Sequence, residues 1–325
     1  MSGDLDKFAM EQLMNKEKQG GLEYDSEIDG SIEKNLGKSS FIEHLTEVSG
    51  MNSPWKKLPI PNLPSEGFAY PPGMDLSIRS AEVSEIRHFS TIDENDPIDI
   101  DDKINYIISK CSQIKWKEGI LSHLDLHQED RFYIFMSIRD LTFIKGENRI
   151  FVPIKNKCNK DACPIPTEIE LSSGVLSATK LDPRIKKYYD QDNGYFNLVP
   201  KNGDPAIQIF IPSVGVSTKI RKILKEKIEK GRKYDETFAK VSTFIIPNWR
   251  DLDEKMYNEY EIASKSWTYT QWSLADSAAD MMTFATKSSL EVRCNKCGVE
   301  VAAPIRFQGG IRSLYVVSDF FGQLL

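Results

Sequence analysis

At 325 residues and 40% hydrophobic content, the chain can bury the core of one large domain or two ordinary ones, which excludes a wholly disordered protein. A net charge of −6 argues against a nucleic-acid backbone as the main partner, because neutralising phosphates takes concentrated Lys and Arg. No run approaches the roughly 18 apolar residues of a membrane span, and the opening MSGDLDKFAM lacks the order of a signal peptide, so a soluble protein made in a cytoplasm is expected.

Residues 1–80 read as an extended, proline-containing arm. The first 50 are rich in charge, Gly and Ser, and 51–80 hold six prolines, each of which removes a backbone donor and fixes one dihedral. Apolar residues within it (Trp55, Leu58, Ile60, Phe68, Tyr70) suit a segment that wraps a neighbour. Residues 81–165 form a helical region leading into a first cysteine hairpin. In IDIDDKINYIISKC the apolar positions Ile104, Ile107, Ile108 and Cys111 recur at helical spacing behind an acidic start, where carboxylates favour the positive end of the dipole. A second helix is expected in QEDRFYIFMSIRDLTF, with Phe132, Phe135, Met136 and Ile138 inward and Asp130 as its cap.

NRIFVPIKNKCNKDACPIPTEIELS alternates as two strands around a turn. Residues 166–290 read as an inserted β and then helical region. Its helix VSTKIRKILKEKIEKGRK sets Ile220, Ile223, Leu224 and Ile228 against lysines, as a solvated face or as a surface for an anionic partner. Residues 291–325 carry a second cysteine hairpin and an aromatic tail. The fold class is therefore α+β: helices plus a discontinuous, zinc-ribbon-like pair of hairpins, with an N-terminal arm.

The chemistry centres on those hairpins. Cys294 and Cys297 form a CxxCG knuckle in which Gly298 lets the backbone turn, and roughly 130 residues earlier Cys158 and Cys163 form a wider CxxxxC loop. Two knuckles supply four thiolates, the ligand set of a closed, structural zinc site that leaves no position for water. Zn²⁺ held by Cys158, Cys163, Cys294 and Cys297 is the expectation; unpaired thiols, a redox-active CxxC or a ligating His88, His123 or His127 are the alternatives. Cys111, on an apolar helical face, reads as a core cysteine. DENDPIDIDD lacks the glycine and terminal glutamate of a calcium loop and reads as a helix start. His123 and His127 in HLDLHQED have metal-compatible spacing but no HExxH glutamate, and no Walker, GxGxxG or GxSxG motif occurs, so no enzyme is expected.

The order of IDIDDKINYIISKC, EDRFYIFMSIRDLTF, a cysteine pair, a late CxxCG and YVVSDFF resembles the baseplate hub or wedge protein family of T4-type contractile-tailed phages. The likeness covers about 85–165 and 285–325; the long arm and the insertion depart from it. It implies a non-enzymatic virion component of the tail baseplate, assembled in the host cytoplasm, with the four cysteines matching the family's metal ligands. Its partners would be other baseplate or tail proteins, in multiple copies within a symmetric assembly. The alternative is a zinc-ribbon, nucleic-acid-associated protein of phage transcription or replication.

Overall fold

The first strand lies inside the proline-rich stretch. In a computed structural model, which describes residues 54–117, 119, 121–146, 148–154, 168–293, 297–298, 300–307 and 309–316, β1 (Lys56–Leu58) pairs antiparallel with β2 (Asp75–Ile78), and β2 with β3 (Ser112–Lys115). This corrects the arm reading for residues 54–80. Pro54 precedes β1 and the other five prolines fall between β1 and β2, so none removes a ladder donor, while Leu58, Leu76 and Ile78 alternate into the core fully buried. Residues 1–53, the rest of the expected arm, lie outside the described residues.

Helix α1 (Val83–Ser90) starts at a capping box in which the Glu82 backbone N–H donates to Glu85. Helix α2 (Pro97–Cys111) starts on Asp96, whose carboxylate accepts from Ile98 N at 3.0 Å. Its Ile104, Ile107, Ile108 and Cys111 are buried, as their spacing requires. Helix α3 (Arg131–Thr142) buries Phe135, Met136 and Ile138 and half-buries Phe132. Asp130 does not cap it; that carboxylate is engaged elsewhere.

Two hairpins follow far apart in the chain: β4 (Phe151–Pro153) with β5 (Glu168–Glu170), and β11 (Ser289–Arg293) with β12 (Glu300–Pro304). Between them lies an insertion that begins at β6 (Ala178–Thr179) and ends at β10 (Ala285–Thr286). These two strands pair with each other, Thr179 opposite Ala285 and Ala178 opposite Thr286, and close the insertion at a neck. The insertion therefore runs over 178–286 and not from 166, because β5 belongs to the first hairpin. It holds the short helix α4 (Pro183–Lys186), a sheet of β7 (Tyr189–Asp190), β8 (Tyr195–Leu198) and β9 (Ile207–Ile209), and four helices: α5 (Val214–Glu229), α6 (Glu236–Ile245), α7 (Glu254–Ser264) and α8 (Tyr269–Met282).

The mixed α and β chain thus makes a base lobe and an inserted lobe. One core joins the first sheet, α1 to α3 and both hairpins; two more lie within the insertion. Two residues cross over. Phe68 of the base lobe packs on Phe196 and Tyr189, and Val214 of the insertion enters the base core. No helix among the described residues is long and apolar enough to cross a membrane.

Candidate functional site

The hairpins are local products of alternating sequence: Val152 points inward from β4, and Leu290, Val301 and Ala303 from β11 and β12. All four are almost wholly buried in one core, and β12 lies alongside β4. Their bases are also tied. Leu171 N donates to Ile150 O at the foot of the first hairpin, and six residues later Ser177 O accepts from Lys287 N at 2.8 Å, beside the foot of the second. Between those points Ser173 is fixed to the Asp140 carboxylate through its backbone N–H and hydroxyl, both at 2.6 Å. Burial pushes Asp140 up to about 6. Because the neck closes the insertion, the long sequence gap costs nothing in space.

Of the expected ligands, Cys297 is described and exposed, with Gly298 beside it at φ 72°, the left-handed conformation the knuckle needs. Cys158, Cys163 and Cys294 lie outside the described residues. The donor chemistry would suit zinc: in sequence the two cysteine pairs fall between β4 and β5 and between β11 and β12, whose arms share a core, and thiolates are preferred structural zinc ligands.

The alternative ligands are placed differently. His127 is buried with its ring stacked 4.0 Å from Tyr70, and its Nε2–H donates to Phe68 O at 3.0 Å. Burial holds its pKa below the usual histidine range, against the opposing pull of Asp130 and of the bond to Phe68 O. His88 sits 3.9 Å from the Tyr106 ring, and His123 lies in the one-turn segment His123–Asp125, so the pair at 123 and 127 shares no helix face. Cys111 is a buried core cysteine whose Sγ–H donates to Glu85 at 3.3 Å; burial, with that carboxylate beside it, pushes the thiol up to about 12.

A buried polar cluster at the start of α3 escaped the sequence reading. Asp130, 0% exposed, accepts from Ser65 N at 2.8 Å, Ser65 Oγ at 2.6 Å and Tyr70 Oη at 2.9 Å, and Tyr70 Oη accepts from His127 N at 2.9 Å. The segment 65–70 that delivers these donors contains three left-handed residues, Glu66, Gly67 and Ala69. Glu66 and Ala69 pay a steric cost there that the surrounding bonds offset. The cluster is a clamp. Both carboxylate oxygens are occupied by protein donors, and Ser65 at 2% exposure is closed to a substrate. Burial raises the Asp130 pKa against the pull of His127 and the donated bonds. Burial and then the Asp130 charge push neighbouring Glu129 up to about 7.

The acidic run and the basic helix, read separately in the sequence, meet each other. Asp96 pairs with Lys225 and Asp102 with Lys222, both at 2.8 Å, and Asp101 pairs with Arg221. Much of the α5 basic face is thus occupied from within the chain. Comparison with protein-family models, curated proteins and solved structures found no match to this chain.

Proposed function

We propose that the chain is a structural, non-catalytic subunit of a contractile-tail baseplate, held in shape by one zinc ion on Cys158, Cys163, Cys294 and Cys297. The observation that carries this reading is the placement of the hairpins: β12 lies along β4, with both bases joined and both inner faces in one core. A metal bound by their tip cysteines would close a ring between segments far apart in sequence. Its binding energy would count as folding energy. Four thiolates leave no open coordination position, so the ion would staple and not activate water. The α5 cations Arg221, Lys222 and Lys225 are already paired with α2 carboxylates, which weighs against the nucleic-acid alternative. The resemblance around DRFYIFMSIR and the cysteine pairs supplies the assembly: neighbouring baseplate proteins as partners and the virion tail as the location.

Two experiments test the two halves. Native mass spectrometry should find one zinc per chain, lost together with thermal stability in both Cys158→Ser and Cys294→Ser. Zinc retained in either variant would break the staple. For the assembly role, the chain should be found in purified contractile tails, and its deletion should halt tail assembly. Its absence from particles that form normally would refute the baseplate reading while leaving the zinc result intact.

A further inference from the structure

Helices α2 and α5 cross the lobe boundary antiparallel, as the pairing order shows: Asp96 with Lys225, Asp102 with Lys222, Asp101 with Arg221, then Asn105 Nδ2 donating to Thr218 Oγ1 at 3.1 Å. Every acid stands on the base lobe and every base on the insertion. We propose that this seam is an ionic clasp that keeps the inserted lobe docked and releases it about the β6–β10 neck when its charges are screened or reversed.

Four observations support the clasp. The lobes have separate cores, with Phe68 and Val214 the core residues that cross and the His127 ring meeting Phe284 edge-on, and domains whose cores are separate move unless the groups between them hold them. The neck is two residue pairs wide, short enough to act as a hinge. The buried Asn105 Oδ1 has no partner in the seam, so docking leaves one acceptor unpaid where a permanent interface would satisfy it. Asp101 is shared: Arg131 of the base lobe holds it at 2.5 Å while Arg221 holds it from the insertion, so releasing Arg221 leaves that buried carboxylate still partnered. The proposal depends on neither the metal nor the assembly role.

The joint has its own reporters. Gln128 N donates to Pro212 O at 2.9 Å and Val214 N to Leu126 O at 2.8 Å, so these two amides are protected by bonds that run from lobe to lobe. Amide exchange is measured on the full chain, comparing them with α3 and α6 amides inside each lobe. Reversal by Lys222→Glu should speed exchange at Gln128 and Val214 by roughly three- to tenfold at low salt, and about 1 M salt should do the same to the unaltered protein. Amides of α3 and α6 should stay protected throughout, and the swapped pair Asp102→Lys with Lys222→Glu should restore the slow rate. Exchange unmoved by salt and reversal, exchange rising equally in α3 and α6, or a swap that fails to restore protection would each overturn the clasp.

Discussion

Removing the Asp130 carboxylate should unlock segment 65–70, whose Phe68 packs into the inserted lobe. In Asp130→Ala three donors lose their acceptor: Ser65 N–H, Ser65 Oγ–H and Tyr70 Oη–H. Hydrogen bonds to a charged acceptor contribute about 1.5–3 kcal/mol each, and an orphaned buried donor costs about 1–3 kcal/mol. Against this stands relief from burying the charge itself, visible in the raised Asp130 pKa. The balance is a loss on the order of 3–5 kcal/mol, near that for breaking a buried charged pair from one side. Asp130→Asn should lose less, about 1–3 kcal/mol, because the amide oxygen still serves the hydroxyls while its NH₂ faces Ser65 N–H. Urea unfolding followed by tryptophan fluorescence gives both values. Ser65→Ala combined with Asp130→Ala should fall well short of the sum of the singles, since they remove shared bonds. An Asp130→Ala loss below about 0.5 kcal/mol, or strict additivity with Ser65→Ala, would refute the clamp.

Three further outcomes are expected. Glu129, at about 7 in the folded protein against an ordinary 4.5, binds its proton more tightly when folded, so its contribution to stability is present below 4.5 and lost as pH rises through 7. Glu129→Gln should therefore gain on the order of 2–3 kcal/mol above pH 7, and the gain should vanish below 4.5; a pH-independent difference in urea midpoints would contradict this. Gly215→Ala places a Cβ 2.3 Å from the Trp249 ring, whose Nε1–H donates to Asp125 at 2.9 Å, so displacement of the indole should cost about 1–3 kcal/mol and shift its fluorescence. Cys111, its thiol pushed up to about 12 in the core, should resist a thiol reagent at neutral pH until denaturant is added; rapid native labelling at this residue would refute that placement.

Helix α2 was legible because everything that makes it is local: Asp96 before Pro97, and Ile104, Ile107, Ile108 and Cys111 on one face. The hairpin arms were legible for the same reason, since period-two alternation needs no distant partner. Other features were decided by residues far apart in the chain. Counting prolines in 54–80 suggested an arm, but where they fall relative to the β1 and β2 ladders matters more than how many there are, and those ladders depend on β3, over thirty residues later. Asp130 looked like a helix cap because caps are local; its actual donors come from residues 65 and 70. The acidic run read as a helix start and the basic helix as a solvated face; that the two pair with each other was not legible, because opposite charges attract only once a fold brings them within a few ångströms. Local periodicity thus determined which segments became helix or hairpin arm, whereas the partners of the polar groups, the neck of the insertion and the joining of the two hairpins were decided by tertiary packing, because no short-range pattern encodes a contact across a hundred residues.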